Sequence, residues 1–427
     1  MSQLARMSMS ERSRRRGKHS SIGSWSGGSG GWIVKGLVIV VVVCAVAYVG
    51  VQLLRPVPSA TAHTVRSAFT AAGGQPSLPW PAQGEAALAV QGTGLVGSSG
   101  GTTPVPIASI AKVMTALVVL SDHPLKPGQS GPQITVTPAD VAQYQADVAT
   151  HQSVAPVTAG EQLTELQALE ALLIPSANNV AHLLATWDRG SLGAFVAAMN
   201  AKATALGLTH SHFVGPSGLS SGSVSTAEDL VRLGEAAMAN PVFASVVAMP
   251  SVTLPGSGVL YNYNYELGHD GFIGIKTGSD GPAGGCFLFD DAVKQGASTV
   301  QIIGAVLGSQ TPPIIQSALN DAVNLVNALR PHLGTQQLVA AGQQVAEVTT
   351  PWGAAAPVDT ATSVSAEAWP GLHVPGTVSI GRLTSTLRRG QRVGTLTVTV
   401  DGTPHQVPLV MGAAVAGPTT SWKLTRL

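Results

Sequence analysis

The run Gly36 to Leu54, GLVIVVVVCAVAYVGVQLL, constrains this chain more than any other stretch. It is uncharged and about long enough to cross a bilayer as a single helix. Ahead of it, Met1 to Gly31 is rich in Ser, Gly and Arg and carries the basic run Arg12-Ser13-Arg14-Arg15-Arg16-Gly17-Lys18. Such a segment cannot bury a core and reads as disordered. Positive charge before the apolar run predicts a cytoplasmic N-terminus and export of the residues beyond the run. The expected division is a basic cytoplasmic tail over residues 1–32, a transmembrane signal anchor over 33–54 and a linker over 55–81. The rival is a cleaved signal peptide, because Ala60-Thr61-Ala62 resembles a processing site. The apolar run is longer than the usual signal core and the tripeptide lies well beyond it, which favours an uncleaved anchor.

With 427 residues, two domains plus appendages are expected. A hydrophobic share of 44% supplies a core, while the net charge of +1 gives no field for nucleic acid. Aromatic residues make up 4%, too few for base-stacking platforms. Of the two cysteines, Cys44 sits inside the apolar run, so a bridge to Cys286 is excluded and no disulfide framework exists.

From residue 82 onward, strand and helix patterns alternate. Glu85 to Val90 reads as a first strand, and a weaker second one precedes a strongly apolar helix from Ile107 to Leu120. Thr158-Ala159-Gly160-Glu161 has capping-box spacing and predicts a helix striped by Leu163, Leu166, Leu169, Leu172 and Leu173, stopped at Pro175. Further helices are expected over Val180 to Trp187 and over Leu192 to Leu206, the latter closed by Gly207. Thr209 to Gly222 reads as loop, and Ser225-Thr226-Ala227-Glu228 as a second capping box. Strands are expected next at Phe272–Thr277, Gly285–Phe289 and Ser298–Leu307, with a closing helix from Ile314 to Leu329. This order predicts an α+β fold, helices on both faces of a mainly antiparallel sheet, over residues 82–331. Residues 334–427 switch to short alternating runs such as Val393 to Val400, turned at Asp401-Gly402, and read as a small all-β domain. No amphipathic helix is expected at the C-terminus.

Three short signatures occur in order: Ser109-Ile110-Ala111-Lys112, Ser176-Ala177-Asn178 and Lys276-Thr277-Gly278. In a helix the Ser109 hydroxyl and the Lys112 amine meet one turn apart. Apolar surroundings lower a lysine's pKa and free its amine to take a proton, which turns a serine hydroxyl into a nucleophile. Ser176 and Asn178, in the break between two helices, bring a hydroxyl and an amide toward that lysine. Lys276, on a strand, offers a fixed positive charge to an anionic substrate, and Gly278 leaves room for a substrate along the strand. A tetrahedral oxyanion needs two donors, most simply the backbone N–H groups of Ser109 and Ser279. This trio is a known active-serine pattern.

The segments PIASIAKVMTALVVL, IPSANNVAHLLA, LGLTHSHFVGPSGL with STAEDL, and GFIGIKTGSDGPAGGC carry the resemblance further. From about residue 80 to 330 the chain resembles the serine-type D-alanyl-D-alanine carboxypeptidases, low-molecular-mass penicillin-binding proteins. The resemblance implies a β-lactamase/transpeptidase-like fold and, as substrate, the D-Ala-D-Ala end of peptidoglycan stem peptides, attacked through an acyl-enzyme on Ser109. It implies Lys112 as the base, Ser176 and Asn178 as proton relay and substrate-positioning groups, and Lys276, Thr277, Gly278, Ser279 and Asp280 as the substrate-binding side, with Lys276 favouring the terminal carboxylate. β-Lactams would acylate Ser109 as substrate mimics, with no metal or other cofactor.

Two positions depart from the family pattern. Where the family places a second threonine after Lys-Thr-Gly this chain has Asp280, and where it carries an arginine at the end of the next strand this chain has Gln310. An acid gained and a cation lost both disfavour an anionic terminus, so a weak activity or a shifted peptide preference is expected. A penicillin-binding scaffold that serves by contact is the competing reading. A hydrolytic β-lactamase is disfavoured, because no E-x-x-L-N string lies between Ser176 and Lys276. His210 and His212 lack a third ligand nearby, Cys286 reads as a packed thiol, and Asn262 and Asn264 read as a structural polar turn.

Overall fold

The computed structural model describes residues 30–295, 298–400 and 402–427. The basic run of the expected N-terminal tail and Asp401 of the expected hairpin turn lie outside them. The described residues divide into two compact units, residues 30–59 with 416–427, and residues 60–415.

In the first unit, helix α1 (Gly30–Leu54) exposes nearly every side chain along its length, and no polar face interrupts it. At about 1.5 Å per residue its 25 residues exceed the roughly 30 Å of a bilayer's hydrocarbon. The chain ends in a short helix, Thr420–Thr425, capped by the Thr419 side chain. The expectation concerned an amphipathic helix, and this element is six residues long and buries none of them. It is tied to α1 by Arg426, whose guanidinium donates to the carbonyls of Gln52 at 2.9 Å and Pro56 at 3.1 Å.

In the second unit, strands β1 (Thr61–Thr64) and β2 (Ala68–Thr70) precede the central sheet. That sheet comprises β3 (Glu85–Val90), β4 (Gly94–Ser99), β5 (Phe272–Asp280), β6 (Gly284–Gln295) and β7 (Ser298–Ser309). Its order is β5-β6-β7-β3-β4, antiparallel throughout. Because side chains alternate along a strand, Ala87, Ala89, Leu288, Ile303 and Ala305 turn to one core and Ala86, Leu88, Phe287, Phe289 and Val306 to the other. The first core is covered by α2 (Ala111–Asp122), α4 (Glu165–Leu173), α5 (Asn178–Arg189), α6 (Leu192–Ala205), α7 (Ala227–Met238) and α8 (Pro241–Val247). Helix α3 (Pro138–Ala149), which the sequence did not suggest, borders α5 and buries a single residue, Asp147. Helix α9 (Ile314–Leu329) covers the second core. The α+β architecture expected from the pattern is the one observed.

Two helix starts differ from expectation. Glu161 does accept from the Thr158 N–H at 2.9 Å, but the chain then runs into a strand, Gln162–Thr164, paired with Gln133–Thr135. That pairing takes the backbone groups a helix would need, so α4 starts later, with Thr164 and Gln167 as its capping box. Likewise Ser225 pairs with Val105 as strand, and Thr226 is the residue that caps α7. Glu228 instead accepts from the Ser98 hydroxyl at 2.6 Å.

Residues 55–81, expected as a linker, do more than span a gap. A second sheet has the order β1-β8-β9-β12-β11-β10-β2, with β8 (Gln344–Thr349), β9 (Ala355–Thr360), β10 (His373–Ile380), β11 (Arg392–Val400) and β12 (Thr403–Met411). Its two outermost strands come from the segment read as linker. Phe69 on β2 is 1% exposed, packed where Gly376 leaves space for its ring. Phe69→Ala should cost about 3–5 kcal/mol. A lower midpoint in denaturant unfolding of the full-length chain checks this; an unchanged midpoint would return 55–81 to a passive linker.

Candidate active site

Ser109 does not lie in a regular helix. Ala108–Ile110 form one tight 3-10 turn before α2 begins. Ala108 has φ +45°, a left-handed conformation a side-chain-bearing residue adopts only when its surroundings impose it. Two glycines are those surroundings. A Cβ on Gly218, itself at φ +79°, would overlap the Ala108 carbonyl, and one on Gly278 would sit 3.0 Å from the Ser109 nitrogen. The room beside Gly278 is therefore occupied by the backbone of the serine turn, and the expectation that a substrate uses it is refined accordingly. The N–H of Ser109 belongs to the first turn of a helix, where donors have no acceptor within the helix.

Lys112 is fully buried, and its Nζ lies 2.8 Å from Ser109 Oγ and 2.9 Å from the Ser217 carbonyl oxygen. Thr115 holds that carbonyl segment in place by donating to the Pro216 carbonyl at 2.7 Å. Burial pulls the Lys112 pKa well below the ordinary lysine range; the charge of Lys276 adds to this, and Asp147 opposes it. A carbonyl can only accept, so one amine proton is committed to Ser217 and the contact with Ser109 can run either way.

Ser176 sits at φ +63° in the break between α4 and α5, again left-handed, and is 4% exposed. Asn178 is the first residue of α5 and 6% exposed. Its Nδ2 donates to Gln152 Oε1 at 2.7 Å. Among the described residues, Ser176 Oγ, Asn178 Oδ1 and Asp147 Oδ2 are buried without a hydrogen-bond partner. Buried oxygens of this kind cost free energy unless a ligand satisfies them. His182, one turn beyond Asn178 on α5, feels both Asp147 and Lys112, and burial lowers its pKa.

On β5, Lys276 is 2% exposed, its Nζ donates to the Thr277 carbonyl at 3.0 Å, and burial lowers its pKa to about 7. Thr277 is buried and Ser279 is exposed. The strand packs against the serine turn, which brings Lys276 close enough to Lys112 for their charges to interact. Asp280 ends β5, and its Oδ1 accepts from the Ala283 N–H at 2.6 Å, closing the β5–β6 turn. Gln310 is exposed, and its amide lies against Gly284.

Sequence reasoning missed Ser217, Asp147, Gln152 and His182. Ser217 lay inside a segment already noticed, but it contributes a backbone carbonyl, which no side-chain pattern marks. The others come from α3, its following turn and the second turn of α5, and nothing in their spacing signals a meeting. The remaining candidates play no part in this cluster. His210 donates its backbone N–H to Asp229 and His212 pairs with Val224. No group of three His, Cys, Asp or Glu side chains able to hold a metal occurs among the described residues. Cys286 is buried with its pKa pushed up to about 12, so it stays a thiol. Asn262 and Asn264 bind the backbone at Met249 and Gly274 while Tyr261, Tyr263 and Tyr265 face outward.

A curled antiparallel sheet with helices on both faces and the Ser109–Lys112 turn packed on its edge strand define a DD-peptidase-like fold. The solved structure of the Streptomyces K15 DD-transpeptidase is similar, with a TM-score of 0.52, 28% identity and coverage of 59% of this chain and 98% of that one. Penicillin-binding protein 5 of Haemophilus influenzae aligns over 80% of this chain and 99% of that one, with a TM-score of 0.58 and 18% identity, a likeness of fold. The D-alanyl-D-alanine carboxypeptidase family model matches residues 83–311, and the chain belongs to that family. It is 40% identical over 180 residues to a D-alanyl-D-alanine carboxypeptidase, DacB2, of Mycobacterium tuberculosis, covering 40% of this chain and 57% of that relative. It is 34% identical over 242 residues to a D-alanyl-D-alanine carboxypeptidase of Streptomyces sp. strain K15, covering 51% and 77%.

The crowding at Gly278 gives a direct test. Gly278→Ala places a methyl group on the Ser109 N–H and should slow acylation of Ser109 by a fluorescent penicillin about a hundred- to a thousandfold, the usual effect of losing one oxyanion donor. Unchanged labelling would remove Ser109 N–H from that role.

Proposed function

We propose that the chain is a serine D-Ala-D-Ala carboxypeptidase that trims peptidoglycan stem peptides through an acyl-enzyme on Ser109, with β-lactams as covalent inhibitors. The observation that carries this is the fully buried Lys112 amine 2.8 Å from Ser109 Oγ. In the proposed reaction Ser109 Oγ attacks the penultimate D-Ala carbonyl carbon while Lys112 takes the hydroxyl proton. The oxyanion rests on the N–H groups of Ser109 and Ser279. The C–N bond then breaks, and the proton passes from Lys112 through the Ser176 hydroxyl, with Asn178 positioning the substrate, to the departing D-alanine nitrogen. Water attacks the ester by the same path in reverse and restores Ser109. Lys276, Thr277, Gly278 and Ser279 form the carboxylate side, with Lys276 supplying the charge.

In this reading residues 82–331 carry the chemistry, and the all-β domain comprises residues 334–415 together with β1 and β2, with residues 416–427 outside it. We assign α1 as a single-pass signal anchor with the N-terminus cytoplasmic and the catalytic unit outside. The Ala60-Thr61-Ala62 tripeptide supports an uncleaved anchor, since Thr61 and Ala62 pair with Thr349 and Val348 in β1.

A second reading rests on Asp280 and Gln310. With Asp280 and Gln310 standing where the family pattern has a threonine and an arginine, a free terminal carboxylate is held less well, which would suit an internal D-alanyl bond; an Escherichia coli relative 31% identical over 258 residues is named a D-alanyl-D-alanine endopeptidase. One assay on the full-length chain in detergent separates these readings. Fluorescent penicillin should label wild type and not Ser109→Ala, and D-alanine should be released from a D-Ala-D-Ala peptide. Label with cleavage of a cross-linked peptide alone favours the second reading. Label with no cleavage leaves the scaffold, and no label overturns the acyl-enzyme.

The pH profile is set by the two lysines. Only neutral Lys112 accepts a proton, so kcat/KM rises as pH climbs through its lowered pKa. Only charged Lys276 attracts a carboxylate, so kcat/KM falls as pH passes about 7. Lys276→Arg, whose guanidinium stays charged, should abolish the descending limb and keep the ascending one. A limb that persists would be assigned to another group.

A further inference from the structure

Residues 334–415 gather their positive side chains in one place. Every lysine or arginine of that stretch, namely Arg382, Arg388, Arg389 and Arg392, lies within residues 382–392, and no acidic residue does. All four are exposed. Among the described residues none of them forms an ion pair; Arg392 donates to the Thr395 hydroxyl at 3.3 Å. Burial raises the Asp359 pKa and the charge of Arg389 opposes it, without a direct bond between the two. Leu383 and Leu387 are buried in the second core and fix the loop to it. Residues 386–391 line a surface concavity of about 610 Å³.

The register of the second sheet sets this loop at the end where the chain arrives from α1 and departs for it. Thr61 pairs with Thr349, and Thr349 with Ala355. At the same end Met411 lies opposite Val358, Arg392 opposite Val410 and Ile380 opposite Gly394. Leu387, the neighbour of Arg388, exchanges backbone hydrogen bonds of 3.0 and 2.9 Å with Val415. Residues 55–60 are all that joins α1 to β1, and residues 416–418 all that joins Val415 to Thr419, the cap of the terminal helix. That helix is in turn bonded to α1, where the Tyr48 hydroxyl donates to the Leu424 carbonyl at 3.2 Å. A chain covers at most about 3.6 Å per residue. By chain length alone, this end of the sheet is leashed to the end of α1.

We infer that the Arg388–Arg389 loop, with Arg382 and Arg392 beside it, is a docking surface for the anionic phospholipid headgroups of the membrane that α1 crosses. This rests on the assignment of α1 as a membrane anchor. A guanidinium offers a planar fork of donors that takes two phosphate oxygens at once. Four such groups without an ionic partner, on the end of the sheet leashed to the anchor, match a surface of phosphates in charge and in position. Each basic residue near an anionic bilayer strengthens the association about fivefold. Because Leu383 and Leu387 pin the loop to the second core, docking holds the all-β domain against the bilayer by one end instead of leaving it to swing on its two short connections.

The test uses the full-length chain with Cys44→Ser and Thr386→Cys, a fluorophore on the new thiol, in vesicles that carry a headgroup-nitroxide lipid as quencher. Cys286 is buried and stays unlabelled. Vesicles of phosphatidylcholine mixed with phosphatidylglycerol should quench the fluorophore, and most of that quenching should be lost in phosphatidylcholine alone and at high salt. Arg388→Gln with Arg389→Gln should lose most of it as well, whereas Arg388→Lys with Arg389→Lys keeps both charges and should keep the quenching. Penicillin labelling of Ser109 should be the same in every variant; if the glutamine pair fails to fold, the salt and lipid dependence of the unsubstituted loop still decides. Equal quenching in the two kinds of vesicle, or a folded glutamine pair that quenches like the parent, would overturn the inference. A fluorophore that responds to soluble polyphosphate and not to phosphatidylglycerol would assign the arginines to a free phosphate polymer and overturn the membrane as their partner. Carbonate washing of the same vesicles keeps the two levels apart. A chain that washes off refutes the anchor and this inference with it, whereas a chain that stays without quenching refutes only the inference.

Discussion

The contact between Lys112 and Ser109 depends on removing an amine from water, and the fold is arranged around doing so. Every residue of α2 from Ala111 to Leu120 is buried, and among the described residues the amine's hydrogen-bond partners are the Ser217 carbonyl and the Ser109 hydroxyl. Desolvation disfavours the charged amine. The lysine is thereby made a base by the same burial that makes the first core stable.

The serine turn meets a second constraint, that of space. Ala108 is held left-handed between two glycines whose missing side chains let backbones approach. Gly218 sits on the loop that also supplies the Ser217 carbonyl, and Gly278 on the strand that supplies Lys276. Loop, strand and turn are thus locked at one place, where the hydroxyl, the amine and the second lysine converge. Strain in the turn is offset by packing on both sides.

How much was legible in advance depended on the range over which each interaction acts. Ser109 and Lys112 are one turn apart, and their pairing is local geometry that sequence spacing reports. The central-sheet strands were legible for the same reason, as short apolar runs buried on both faces. Capping boxes were less reliable: Thr158 and Glu161 make the local bond but no helix, because strand pairing with residues 133–135 claims the same backbone. Residues 61–70 looked like linker because their partners lie near residues 346–349 and 373–375, almost three hundred residues on. No local pattern marks a strand whose partner is that far away.

By itself the sequence determined the apolar N-terminal run, the main strands and helices, the order of the three signatures and the family to which they belong, because each rests on side-chain type and short spacing. Only the tertiary structure decided what surrounds those signatures. It placed the carbonyl of Ser217 on Lys112, closed Gly278 against the Ser109 nitrogen, turned Asp280 into its own hairpin and joined the Asn178 amide to Gln152. These are contacts of backbone atoms and amide orientations between distant segments. Their energies depend on where chains cross, which residue identity in sequence does not encode locally.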